Sequence, residues 1–118
     1  MNKRTVGSLK ESLAADFLVR NGLVVKETNY RFHKLGEIDI VALDGKYLVF
    51  IEVKYRKTAK AGTAAMAVDY RKIRQICKIS DAYRKCHGIS TSYPVRYDVI
   101  AIDGSNINWI KNAFTYAL

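Results

Sequence analysis

Apolar residues recur at helical spacing from the start of the chain. Val6, Leu9, Leu13, Ala14, Phe17 and Leu18 predict a helix over residues 4–21, with Asn21-Gly22 as its stop. The period then shifts toward two. Residues 23–25 open a short strand that runs through Lys26-Glu27, and the polar stretch up to Gly36 reads as a loop or turn. Residues 36–43 and 46–56 predict two strands joined around Asp44-Gly45, a dipeptide suited to tight hairpins. Small and basic residues over 57–66 read as a mobile loop. A long helix is expected over about 65–87, with a break near Asp69 and Gly88 as its end. Its apolar positions are Met66, Tyr70, Ile73, Ile76, Cys77, Ser80 and Tyr83, while Arg71, Lys72, Arg74, Lys78, Arg84 and Lys85 occupy the other sides. Residues 95–102 alternate as a strand, Asp103-Gly104 turns the chain, 106–110 form a last strand, and 111–118 an amphipathic tail. The order α-β-β-β-α-β-β predicts one α/β domain over residues 1–118, a mixed central sheet flanked by helices.

The hairpin interrupts its own apolar pattern with charge. Asp39 lies among Ile38, Ile40 and Val41, and Glu52 and Lys54 lie among Phe50, Ile51 and Val53. An uncompensated polar group in such a place costs about 1–3 kcal/mol, and a charge more. Residues two apart on a strand share a face, so Glu52 and Lys54 are neighbours about 7 Å apart. A two-residue Asp44-Gly45 loop would set Asp39 opposite Phe50. A four-residue loop would set it opposite Glu52. Either places Asp39 on the face of Glu52 and Lys54, and a three-residue loop would not.

Two readings of this cluster stay open. One is a buried ion pair, a weak source of stability compared with an apolar core. The other, preferred here, is a hard-metal site: two carboxylates, a backbone carbonyl from Val53 and waters suit Mg²⁺ or Mn²⁺. Lys54 would then deprotonate or orient a water toward a phosphate. Glu11 is placed at the edge of the first helix's apolar arc, centred near Leu13 and Phe17, from which it could reach a sheet site.

Charge sharpens the choice. Twenty Lys and Arg against eleven Asp and Glu give +9 over 118 residues, which points to a polyanion, most often nucleic acid. The expected contacts are Arg31, Arg56, Lys57, Lys60, Arg71 and Lys72. No pattern for base-specific reading is present, so structure-selective binding of branched, nicked or single-stranded substrates is expected, DNA rather than RNA. Most of the eight Tyr are assigned to core-compatible positions, and His33 and His87 to the surface near chain turns. Cys77 and Cys86, nine residues apart on one helix, are about 13 Å apart along its axis and cannot form a disulfide. They are read as buried or partly buried thiols. No apolar run nears the roughly 18 residues of a membrane span, and the basic N-terminus lacks the apolar stretch of a signal peptide. A cytoplasmic location is the expectation.

Gly36-Glu37-Ile38-Asp39-Ile40-Val41-Ala42 followed by Phe50-Ile51-Glu52-Val53-Lys54 resembles the signature of the YraN family. These are small bacterial proteins of the restriction-endonuclease-like PD-(D/E)xK superfamily, related to Holliday junction resolvases. The first helix with Glu11, Asn29-Tyr30-Arg31, the start of the second helix and Tyr97-Asp98-Val99 extend the likeness over most of the chain. Ile38 stands where the superfamily name has Pro, and Lys10 precedes Glu11 where the family usually has Gly. The resemblance implies a restriction-endonuclease-like fold and a metal-dependent endonuclease that hydrolyses phosphodiester bonds. Asp39, Glu52 and Lys54 would be its metal and catalytic triad, Glu11 the acidic residue of the first helix, and Gln75 of the second helix an auxiliary that contacts nucleic acid. A homodimer would suit a resolvase-like substrate, since a four-way junction is symmetric. The alternatives are a non-catalytic nucleic-acid-binding module with a residual acidic site, and an interaction protein that docks on acidic partners through the long helix.

Overall fold

The computed structural model describes residues 3–56 and 69–117. Helix α1 spans Lys3–Arg20. It ends as its sequence predicts: Gly22 has φ +91°, its N–H donates to the Val19 carbonyl, and the Leu23 N–H donates to that of Leu18. This crossed pair of bonds is the Schellman closure, and Leu18 and Leu23 supply its hydrophobic contact within one core cluster.

Strands β1 (Val24–Phe32), β2 (Gly36–Asp44) and β3 (Tyr47–Arg56) follow, with one 3₁₀ turn at His33–Leu35 between the first two. The expected loop before the hairpin shrinks to that turn, and Arg31 lies on β1 opposite Glu37. Polar side chains hid the strand because β1 is an edge strand, with alternate residues open to water. In the hairpin Asp44 pairs with Tyr47 and Leu43 with Leu48. This is the register that continues to Asp39 opposite Glu52. Gly45 takes φ +59° at the first turn position, where a side chain would be strained.

Helix α2 spans Tyr70–Cys86 and is capped by Asp69, whose carboxylate accepts from the Lys72 N–H at 2.9 Å. The predicted break is this cap. Strands β4 (Val95–Asp103) and β5 (Asn106–Ile110) complete a sheet of order β1-β2-β3-β4-β5. Only β3 and β4 are parallel, with α2 as their crossover. The result is a single α/β domain with a five-stranded mixed sheet between two helices. Among the described residues no helix is long and apolar enough to cross a membrane.

Each face of the sheet has its own core. On one, Ala14 and Leu18 of α1 meet Ile40, Ala42, Val49, Ile51, Ile100 and Ile102. On the other, Ile76, Cys77, Ile79 and Tyr83 of α2 meet Ile38, Val41, Leu48, Phe50 and Tyr97. Three expectations are corrected here. The buried stripe of α1 centres on Ala14 and Leu18, and Leu13 is 46% exposed. Tyr47, Tyr55, Tyr70, Tyr93 and Tyr116 are exposed, so most tyrosines are outside the core. Cys77 is buried but Cys86, in the last turn of α2, is exposed. His33 and His87 are on the surface, as expected.

One buried charge network escaped the sequence reading. Asp98 is 0% exposed. It accepts two hydrogen bonds from the Arg96 guanidinium, one from Trp109 Nε1 and one from the Asn112 N–H, all at 2.9 Å. Arg96 also donates to Asp44 at 2.8 Å, tying β4 to the hairpin. Every lone pair of consequence is used, which is what a buried carboxylate requires.

Candidate functional site

Strand β2 leaves β3 just where the charges begin. Its ladder with β3 closes at Ile40 opposite Ile51, while its ladder with β1 continues to Gly36. Ile38 packs on the α2 side and Ile40 on the α1 side, although two residues apart. The strand therefore turns over between them, and simple alternation fails at Asp39. Its carboxylate reaches across the opening fork, where Oδ2 accepts from the Val53 N–H at 2.7 Å. A continuing ladder would have given that N–H a β2 carbonyl. The Val53 carbonyl leaves the strand on the same edge as its N–H, so it too faces the fork.

Glu52 lies beside Asp39 and is 6% exposed. Burial, then the neighbouring Glu52 carboxyl, pushes Asp39 up to about 8, against the weaker opposing pull of the Val53 N–H and Lys72. Asp39 thus gives up its proton at a higher pH than a solvated carboxyl does. Glu52 Oε2 is paired with Lys72 Nζ at 3.4 Å, yet it has no hydrogen bond. Lys54, half-buried, follows Glu52 by strand parity on the α2 side. Among the described residues it forms no ion pair, so the cation on Glu52 comes from helix α2 and not from the neighbouring strand position.

Glu11 comes in from the other face. It belongs to the stripe Glu11–Ala14–Ala15–Leu18, spaced i, i+3, i+4, i+7, which is the side of α1 against the sheet. The alanines of that stripe bring the helix close enough for a carboxylate to reach the fork. Burial raises the Glu11 pKa, and the charges of Asp39 and Glu37 raise it further, while a hydrogen bond from Asn29 lowers it. Its Oε2 is buried without a hydrogen-bond partner. The Lys10 ammonium lies over the Tyr55 ring, 4.1 Å from its centre.

Asn29 and Glu37 were missed from sequence. The signal for Asn29 is backbone conformation: it sits at φ +54°, a region that Asn tolerates better than most residues. Gln75 supports the site's rim. Its side-chain amide donates to the Leu35 carbonyl and lies where a Cβ on Gly36 would be. Arg31 and Arg71 are exposed. The Arg56 side chain, Lys57 and Lys60 lie outside the described residues, as does the expected mobile loop. Among the described residues, no three His, Cys, Asp or Glu side chains form a ready-made cage for a metal.

The comparisons with other proteins agree on one group. A model described as "Uncharacterised protein family UPF0102" matches residues 10–102, a span that includes Glu11, Asp39, Glu52, Lys54 and α2. A UPF0102 protein of Caldicellulosiruptor bescii is 42% identical over 120 residues, covering 97% of this chain and 100% of the relative. Relatives from Legionella pneumophila (strain Corby) and Fusobacterium nucleatum are each 41% identical. The first covers 92% of both chains, the second 95% of this chain and 92% of its own.

Proposed function

The chain belongs to the uncharacterised protein family UPF0102, and for this member we propose a metal-dependent nuclease that hydrolyses phosphodiester bonds in DNA. The finer assignment, to the YraN family and the restriction-endonuclease-like nucleases, belongs to the same proposal. The observation that supports it is the fork itself: Asp39, anchored on the Val53 N–H at 2.7 Å, is pressed against the buried Glu52. Stability gives no reason to build this. Two acids forced together hold a proton that either would lose in water.

The residues fit a hard divalent cation. Glu11 buries an Oε2 atom with no hydrogen bond, and Glu52 Oε2 has none either, only the Lys72 ammonium at 3.4 Å, which an oxygen-seeking ion would replace. Asp39, Glu52 and the Val53 carbonyl would hold Mg²⁺ or Mn²⁺. Two carboxylates suffice for Mg²⁺, which usually keeps several waters. When bound, such an ion would stabilise charge on a phosphate and acidify a water. Asp39 would release its proton on coordination. Lys54 would orient or deprotonate the attacking water, and Glu11 would support the ligand shell from α1. The exposed basic residues around the fork would bind the backbone without reading bases, so selectivity would come from the shape of the DNA.

A second reading has its own observation. Lys72 already sits on Glu52 at 3.4 Å, as expected of a residual acid site neutralised within a non-catalytic nucleic-acid-binding module. A cleavage panel of duplex, nicked, flap, four-way-junction and single-stranded DNA, with and without Mn²⁺, separates the two. The nuclease reading expects cleavage of at least one branched or unpaired substrate that depends on the metal. Salt-sensitive binding of the same DNA with no cleavage, and no heat on titration with Mn²⁺, would establish the binding module instead.

A further inference from the structure

Along the outer side of α2 runs a groove that the acid pair does not use. Tyr70, Arg71, Arg74, Gln75 and Lys78, with Leu35 from the 3₁₀ turn, line about 530 Å³ of it. Arg71, Arg74, Gln75 and Lys78 are spaced i, i+3, i+4, i+7, a single helical stripe. Gln75 of that stripe donates to the Leu35 carbonyl and abuts Gly36, the first residue of β2, so the groove borders the strand that carries Asp39. From Arg71 to Lys78 the helix rises about 10 Å. That is the length of about three nucleotides of a stacked strand at about 3.4 Å each.

Charge alone would suit any polyanion, but the walls are more specific. The Tyr70 ring is 62% exposed, and the Arg74 guanidinium lies 5.8 Å from its centre. Leu35 adds an exposed apolar side chain. A duplex presents phosphates and keeps its base faces stacked inside, which would leave Tyr70 and Leu35 in water. An unpaired base has a free π face for both.

We infer that this groove takes a single-stranded segment of the substrate, about three nucleotides long, with a base stacked on Tyr70 and phosphates on Arg71, Arg74 and Lys78. The inference rests on the nuclease reading for the identity of the polymer but not for its cleavage. The substrate class is then narrower than DNA in general: a flap, fork or open branch with unpaired nucleotides beside the scissile phosphate.

Fluorescence anisotropy in EDTA tests this on the full chain without cutting, using labelled oligothymidylate and a hairpin duplex of equal phosphate number. Tyr70→Ala should weaken oligothymidylate binding about 5- to 100-fold, the usual worth of one stacked base. The same substitution should change hairpin binding by less than about twofold, as expected of a surface residue that touches no base there. Tyr70→Phe, which keeps the ring, should bind like the wild type, and Arg74→Glu should weaken both ligands and reduce their salt dependence. An unchanged oligothymidylate affinity in Tyr70→Ala, or an equal loss on both ligands, overturns the single-strand groove and leaves the nuclease reading intact. A wild type that binds neither ligand overturns both. A Tyr70-dependent preference in a protein that cuts nothing supports the groove and removes the nuclease.

Discussion

Asp39→Asn isolates the proton held at the fork. In the folded chain burial and Glu52 push Asp39 up to about 8, whereas an unfolded Asp titrates near about 3.9. Between those limits the folded state binds one proton more than the unfolded state, so stability falls as pH rises. The contribution is complete below the unfolded value and lost once pH has passed through the folded one. One proton gives a slope of about 1.4 kcal/mol per pH unit, so an increase of about 1.5 pH units from mildly acid to neutral conditions removes about 2 kcal/mol. In a domain of this size that lowers Tm by about 8 °C. Asparagine can still accept from the Val53 N–H, but it has no proton to lose. Thermal unfolding followed by circular dichroism across this range, taken as wild type minus variant, cancels the other titrating groups. The wild type should lose stability relative to the variant as pH rises, and saturating Mn²⁺ should restore the wild type more than the variant. Parallel profiles for the two proteins would refute the claim that Asp39 is protonated by its neighbours.

Other expectations follow from residues outside the acid pair. Asp98→Ala leaves the Arg96 guanidinium with Asp44 as its remaining carboxylate and takes the acceptor from the Trp109 and Asn112 N–H groups, and should cost about 1–3 kcal/mol, read as a lower urea midpoint at unchanged slope. Gly36→Ala should cost about 1–3 kcal/mol, since Gly36 sits at φ +118° and its Cβ would meet Gln75. Adding Gln75→Ala should recover only part of that loss in thermal unfolding, because the backbone strain remains.

The element order was legible because most elements carry their own local signal. Asn106–Ile110 alternates cleanly, Asn21-Gly22 and Gly88 close helices through positive φ, and Asp69 caps α2. What failed were features set by tertiary contact. The face of α1 was misplaced because Ala14, Ala15 and Leu18 meet the sheet, while Leu9 and Leu13 are exposed. Glu11 was accordingly read as marginal when it lies on the packed stripe. Parity was expected to bring Asp39 to Glu52, and the two acids do meet, but the ladder ends at Ile40 opposite Ile51 and alternation fails at Asp39. The fork that makes Asp39 bind the Val53 N–H depends on β2 parting from β3, which no local pattern announces. Lys72 read as an exposed phosphate contact because only the packing of α2 over β3 carries it to Glu52. The burial of Asp98 was not legible from its strand, because the Arg96, Trp109 and Asn112 donors that allow it are gathered by the fold.

The central claim is that the fork hydrolyses phosphodiester bonds through Glu52 and Lys54. Its most direct test is Mn²⁺-dependent cleavage of a flap substrate by purified wild type, Glu52→Gln and Lys54→Ala, each shown to be folded by circular dichroism. The wild type should cleave, and each variant should lose at least about 100-fold, the scale on which a positioned acid–base group contributes. Equal cleavage by all three proteins, or none by the wild type on any member of the substrate panel, would contradict it.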